Sequence, residues 1–140
     1  MNPTQTSTRL QVRTAAEKLD YPQLQRLMDL TAPWARDRTV ADLERMVQGS
    51  EPVVHLWDGD FLVAFGRATS DGVYRAMLWD VMVHPRYQGQ GIGRQLIGHL
   101  LAHPKLATVE KVYLVTTDGQ GFYERLDFKQ NPTTTMVLVR

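Results

Sequence analysis

Gly89, Gly91 and Gly93 alternate with Gln90 and Ile92 directly after an apolar stretch and Pro85, and directly before a run in which Ile92, Leu96 and Leu100 recur every four residues. Glycine adopts dihedrals that other residues resist and lets a backbone come close to a ligand. The start of a helix adds unpaired N–H groups and the positive end of a dipole, so a glycine turn opening a helix can seat a phosphate or another anion. Two better-known phosphate loops are excluded by the same letters. A Walker loop requires Gly-Lys-Ser/Thr, whereas Gly93 is followed by Arg94 and Gln95. The dinucleotide fingerprint requires a glycine three residues after the second one, where Arg94 stands. Other chemistries are removed as simply. The chain has no cysteine, hence no acyl-cysteine intermediate, thiolate metal site or disulfide framework. It has no Gly-x-Ser-x-Gly elbow. His99 and His103 lie four apart on a helix without a third ligand, so no metal is expected.

The elements that must position this turn follow from the apolar pattern. Residues 1 to 8 are polar and expected to be loose, with a first strand from Leu10 to Thr14. Asp20 reads as the N-cap of a helix carrying Leu24, Leu27, Met28 and Leu30 through about Thr31, ended by Pro33. A second helix is predicted from Thr39 through Val47 to a stop at Gly49. Val53 to Trp57 and Phe61 to Ala68 form a hairpin around Asp58-Gly59, read as a type I′ turn. Residues 74 to 84 form a strand with Met77, Trp79, Val81 and Val83 on one face. The glycine-turn helix runs to about His103, and Lys111 to Thr116 is a strand parallel to the one before the helix. A short helix from Gln120 to Leu126 and a last strand from Thr134 to Val139 complete the order.

At 140 residues the chain fits one domain with an adequate core. A net charge of +1 supplies no field that would draw nucleic acid or an anionic membrane. With no apolar signal core and no run approaching the ~20 residues of a membrane span, a cytoplasmic protein is expected. Monomer and homodimer both stay open.

Gln88-Gly89-Gln90-Gly91-Ile92-Gly93, preceded by Val83-His84-Pro85, resembles the Gln/Arg-x-x-Gly-x-Gly/Ala signature of the GCN5-related N-acetyltransferases, the GNAT family. GFYERLDF, residues 121 to 128, is similar to that family's late Phe-Tyr-Glu-x-x-Gly-Phe segment, with Asp127 in the place of its glycine. The resemblance implies an α/β (α+β) GNAT fold, a mixed central sheet splayed between strands 4 and 5 and flanked by helices. It implies acetyl-CoA as cosubstrate, with its pantetheine arm on the backbone of Val81, Met82 and Val83. Its pyrophosphate would lie on Gln88, Gly89, Gln90, Gly91, Ile92, Gly93 and Arg94. Tyr123 matches the tyrosine that protonates the departing thiolate, and reads equally as a core aromatic beside Phe122 and Phe128.

Family members often carry a basic Glu or His on the fourth strand, where this chain has Met77 and Trp79. Asp80 is the next candidate base, on the opposite strand face unless a bulge turns it. Asp118 is the other, and reads also as an N-cap of the last helix. Trp-Asp-Val at residues 79 to 81, the Tyr-Gln-Gly-Gln-Gly turn and Asp118 resemble the plastid and cyanobacterial serotonin N-acetyltransferase-like branch. That similarity implies an arylalkylamine acceptor lined by Trp79 and Trp34, with Trp79 reading also as core. A protein lysine or another small amine is the runner-up acceptor, and a non-catalytic acyl-CoA sensor is the rival function.

Overall fold

The structure is a computed structural model that describes residues 9 to 140; the expectation for residues 1 to 8 lies outside the described residues. Strand β1 (Gln11–Thr14) leads to helix α1 (Tyr21–Thr31), a 3-10 turn at Pro33–Ala35 and helix α2 (Val40–Gln48). Strands β2 (Val53–Asp58), β3 (Phe61–Ser70) and β4 (Arg75–Val83) follow, then a 3-10 turn at Pro85–Tyr87 and helix α3 (Ile92–Ala102). Strand β5 (Lys111–Tyr113) and helix α4 (Gln120–Glu124) come last. The sheet runs β1-β2-β3-β4-β5, antiparallel through β4, with β5 parallel to β4 across the α3 crossover. No helix among the described residues is long and apolar enough to cross a membrane.

Both helix starts follow from short polar side chains. Asp20 accepts from Gln23 N at 3.1 Å and Thr39 accepts from Asp42 N at 3.1 Å, each filling one of the orphan donors of a first turn. Helices α1 and α2 pack Leu24, Leu27, Met28, Leu43 and Val47 against Trp57, Phe65 and Met82 on one sheet face. On the other face Leu96, Ile97 and Leu100 of α3 pack against Val54, Val63, Ala68 and Leu78. A side chain on Gly66 would come within 3.0 Å of Leu100 Cδ1, so the absent Cβ lets α3 lie directly on β3.

Three expectations are corrected. In the β2–β3 hairpin Asp58 pairs with Phe61, so the loop residues are Gly59 and Asp60. Only Gly59 has positive φ there (58°), which is the pattern of a II′ turn with glycine first, not of I′. Strand β5 stops at Tyr113 instead of Thr116. The last strand does not form: residues 129 to 140 are exposed and outside the sheet.

Among the described residues His55 is the one buried polar residue of the core. Trp57 Nε1 donates to its Nδ1 at 2.7 Å, and an indole N–H can only donate, so the imidazole proton is on Nε2, facing Ala15 O at 3.0 Å. Burial, with Arg13 adding to it, pushes His55 below the ordinary imidazole range and keeps the ring neutral when folded. Below about pH 6.5 the unfolded chain therefore binds a proton that the folded chain refuses. His55 is expected to contribute its full stability above about pH 6.5 and to lose it as pH falls through the lowered folded value. Urea unfolding at a series of pH values checks this, and a His55→Phe variant should lose that acid limb while costing about 1–3 kcal/mol for the unpaired Trp57 donor.

Candidate active site

Strand β4 carries the site because its alternation breaks. Ala76 and Leu78 face α3, but beyond them it is Val81 and Val83 that face α3, while Met82 faces α1 and α2. The shift occurs at Asp80, whose φ is 51°, opposite a register slip between Phe65 and Arg67 in β3. This is a β-bulge, with an extra residue in β4 that turns the strand. The expected single face of Met77, Trp79, Val81 and Val83 is thus corrected: the first two and the last two lie on opposite sides of the sheet.

The bulge also turns Asp80 onto the side of Trp79. Its carboxylate, 4% exposed, takes Arg67 Nε at 2.8 Å and Arg38 Nη1 at 3.4 Å on one oxygen. The other oxygen accepts from Trp34 Nε1 at 3.4 Å. Arg67 Cζ lies 5.7 Å from the Trp79 ring centroid, and Trp79 Nε1 donates to Thr69 Oγ1 at 2.9 Å. Trp34 and Trp79 are 67% and 38% exposed, so neither is a core residue; one bonds the carboxylate and the other lies beside its Arg67 partner. Arg38 was not singled out by the sequence, because nothing in a loop arginine's neighbours in the chain announces a partner 42 positions away.

Past Met77 the β4–β5 ladder stops, since only Arg75, Ala76 and Met77 pair with Lys111, Val112 and Tyr113. The edge of residues 78 to 83 on that side has no strand partner among the described residues, so backbone groups of Val81 and the N–H of Val83 are left toward it, whereas Met82 pairs with Phe65 of β3. The following turn is pinned from three directions. Tyr87 donates its hydroxyl to Asp58 at 2.8 Å, Phe61 stacks on Tyr87 with centroids 5.8 Å apart, and Gln88 Nε2 donates to Val83 O at 3.0 Å.

Gly89 and Gly91 have φ of 79° and 78°, and a Cβ on either would meet open space. Gly91 caps α3 with no side-chain hydrogen bond, and the first backbone bond of the helix runs from Gln95 N to Gly91 O. The N–H groups of Ile92, Gly93 and Arg94 are thereby left at the helix start for an anion. Ile92 contributes backbone alone, its side chain being buried, while Gln90 and Arg94 are exposed. Gly93 also admits α4: a Cβ there would lie 3.1 Å from Phe122 Cζ, so its small size makes room for that ring while its backbone N–H stays at the helix start.

Through Phe122, α4 is docked on the start of α3, and this places Tyr123. Its ring packs edge-on against Phe122 and Phe128, and against the space over Gly119. Burial pushes the phenol above its ordinary pKa, so it remains protonated at neutral pH. Asp118, two residues before α4, is exposed; the cap of α4 is Gly119, whose N–H is taken by Thr116 Oγ1 at 2.9 Å. Asp118 is therefore not an N-cap. His103 ends α3 and accepts from Lys105 N at 3.1 Å.

Residues 17 to 128 match the profile of the acetyltransferase (GNAT) family. The chain belongs to that family. Its mixed sheet flanked by helices superposes on a solved GNAT-family putative acetyltransferase from Xanthomonas campestris pv. campestris with a TM-score of 0.81, at 28% identity over 93% of this chain and 94% of that one. An uncharacterized ycf52-like N-acetyltransferase of Prochlorococcus marinus is 33% identical over 87% of this chain and 67% of its own length. The chloroplastic serotonin N-acetyltransferase 2 of Oryza sativa subsp. japonica is 41% identical, over 50% of this chain and only 36% of its own length. In this GNAT acetyltransferase Phe122 fills the notch over Gly93 and so docks the helix that carries Tyr123 on the start of α3. Gly93→Ala is expected to displace α4 and weaken CoA binding measured by calorimetry. Gly98→Ala, in the same helix with open space around it, should instead stabilise by about 0.5–1 kcal/mol in thermal unfolding and leave CoA binding unchanged.

Proposed function

We propose that the chain is an acetyl-CoA-dependent N-acetyltransferase acting on a primary amine by direct attack in a ternary complex, with an arylalkylamine such as serotonin as the favoured acceptor. The reading is supported by one juxtaposition: an uncapped helix start beside a strand edge without a partner among the described residues, with a half-buried, protonated phenol on the helix docked there. The residues fit the cosubstrate, since Gly89 and Gly91 leave open space over backbone that side chains would fill. The backbone of Val81 to Val83 would hold the pantetheine arm, and Gln88 to Arg94 the pyrophosphate, with Arg94 adding charge. Acetyl-CoA, when bound, supplies the acetyl group as an activated thioester.

A backbone N–H of β4 aimed at the acyl oxygen stabilises the charge that develops on it, a contribution of about 3 kcal/mol for one such donor. Asp118, exposed beside the mouth of α4, accepts the proton that the ammonium must lose, directly or through one water. The amine nitrogen then bonds to the acyl carbon as the carbon–sulfur bond breaks, Tyr123 gives its proton to the departing sulfur, and the nitrogen sheds its second proton, which restores the phenol. Asp80 is the less suitable base, because protonating it would displace a guanidinium hydrogen bond; we assign it instead to holding Trp34 and Trp79 as walls for an aromatic amine. The openness of those walls favours one second reading, a lysine side chain presented by a protein.

Tyr123→Phe is expected to lower kcat by about 10²-fold or more while CoA affinity is retained. Loss of turnover in the unsubstituted chain should begin only above about pH 10, because the phenol is raised and not lowered. Asp118→Asn should reduce turnover at neutral pH without moving Tm. Asp80→Asn should destabilise by about 3 kcal/mol as Arg67 loses its partner. Release of CoA measured across arylalkylamines, alkylamines and a lysine peptide identifies the acceptor; turnover of the peptide alone would remove the arylalkylamine reading, and tight CoA binding without any turnover would favour a sensor.

A further inference from the structure

We propose that Gln23, at the start of α1, is a positioning residue for the cosubstrate, a role that rests on the turn of residues 88 to 91 being the seat of CoA. Through the tip of the β2–β3 hairpin and Tyr87 it holds that turn in the shape that receives the pyrophosphate. The turn does not hold its own shape. Gly89 and Gly91 stand at positive φ, residues 88 to 91 are all exposed, and Gly89 and Gln90 make no hydrogen bond to the rest of the protein among the described residues. Glycine gives up more backbone freedom on ordering than any other residue, so such a turn is shaped by whatever anchors its base.

The base is Tyr87. Its hydroxyl donates to Asp58 Oδ2 at 2.8 Å and its ring stacks on Phe61 at an interplanar angle of 26°, which fastens the turn to the hairpin tip. His84, three residues earlier, packs edge-on against the same Phe61 ring with centroids 5.0 Å apart. The tip needs fastening in its turn. Gly59, Asp60 and Phe61 are exposed, and an exposed hairpin tip is mobile unless it is tied down.

Gln23 supplies the tie. Its Nε2 donates to Asp60 O at 2.8 Å and its Oε1 accepts from Leu62 N at 2.9 Å, so one side-chain amide serves a backbone acceptor and a backbone donor of the hairpin together. The same Nε2 donates to Asp20 Oδ2 at 3.2 Å, so the cap of α1 aims the amide. Asp20-Tyr21-Pro22-Gln23 has the spacing of a capping box, in which the fourth side chain turns back to the N–H of the cap. Here that side chain goes to the hairpin instead, 37 and 39 positions away. Helix α1 is itself fixed, because Leu24, Leu27 and Met28 are buried in the core. The line from Asp20 through Gln23, the hairpin tip and Tyr87 thus carries the rigidity of a packed helix to a glycine turn that has none of its own.

Calorimetry with CoA on the full chain tests this line. Gln23→Leu, and Tyr87→Phe, which keeps the ring stack, should each raise the CoA dissociation constant by about three- to tenfold. The double variant should lose about as much as either single one, because both break the same line. Asp58→Asn, whose carbonyl still accepts from the phenol, should stay within about twofold of the unsubstituted chain, whereas Asp58→Ala should match Tyr87→Phe. Nitrogen-15 relaxation in the CoA-free chain should show lower order parameters at Gly89 and Gly91 in Gln23→Leu while the amides of β3 keep theirs, which separates a loosened turn from a misfolded variant. No CoA binding by the unsubstituted chain would overturn both the CoA seat and the role of Gln23. CoA binding by that chain with unchanged affinity in both single variants, additive losses in the double variant, or unchanged order at both glycines would overturn the role of Gln23 alone.

Discussion

The carboxylate of Asp80, held between Arg67 and Arg38, keeps a residue other than glycine left-handed in the middle of a strand. That conformation costs on the order of 1–2 kcal/mol and persists only where the surroundings over-determine it. Here they do: two guanidiniums and an indole N–H fix the carboxylate from three elements, the loop before α2, strand β3 and the 3-10 turn after α1. Beyond the bulge Val81 and Val83 exchange faces with their predecessors. The β4–β5 ladder has already ended before it, and α3 begins beyond it. The ion pair is thus a support for backbone shape more than a source of net stability, which buried pairs seldom supply.

From that bend the remaining parts are fixed by close packing. The bare surface of Gly66 lets α3 lie on the sheet, and the notch over Gly93 lets Phe122 lie on α3. Tyr123 and the uncapped amides of α3 are consequently positioned by one rigid contact, so the groups proposed to bind the donor and to protonate it share a single frame. The proposed constellation is small in polar side chains and rich in backbone, which suits a site that must accept a long, flexible cosubstrate.

Much of this was legible in the letters. The cap Asp20, the second helix near Thr39, the glycine turn, the order of the strands and helices through α4 and the aromatic pair at residues 122 and 123 all follow from local propensity, periodicity or short motifs, and each of those is enforced by neighbours in the chain. The β2–β3 turn was misplaced by one residue because Asp58-Gly59 and Gly59-Asp60 both contain glycine at a usable position, and cross-strand pairing selects between them. The final strand was legible as a strand pattern but not as an unpaired one, since an apolar run states its preference for a partner without saying whether that partner is its own sheet.

What the sequence determined alone was the inventory: the elements, a glycine turn at a helix start, two candidate carboxylates, two indoles and a phenol. Tertiary structure decided where each stands. It committed Asp80 to two arginines, one of them 42 positions distant, and left Asp118 exposed at the mouth of α4. It set Phe122 against Gly93, where a Cβ would leave too little room. The reason is one of range: propensities and motifs are written by residues a few positions apart, whereas the bulge, the notch and the ion-pair network exist only when strands and helices from opposite ends of the chain are pressed into the same few ångströms.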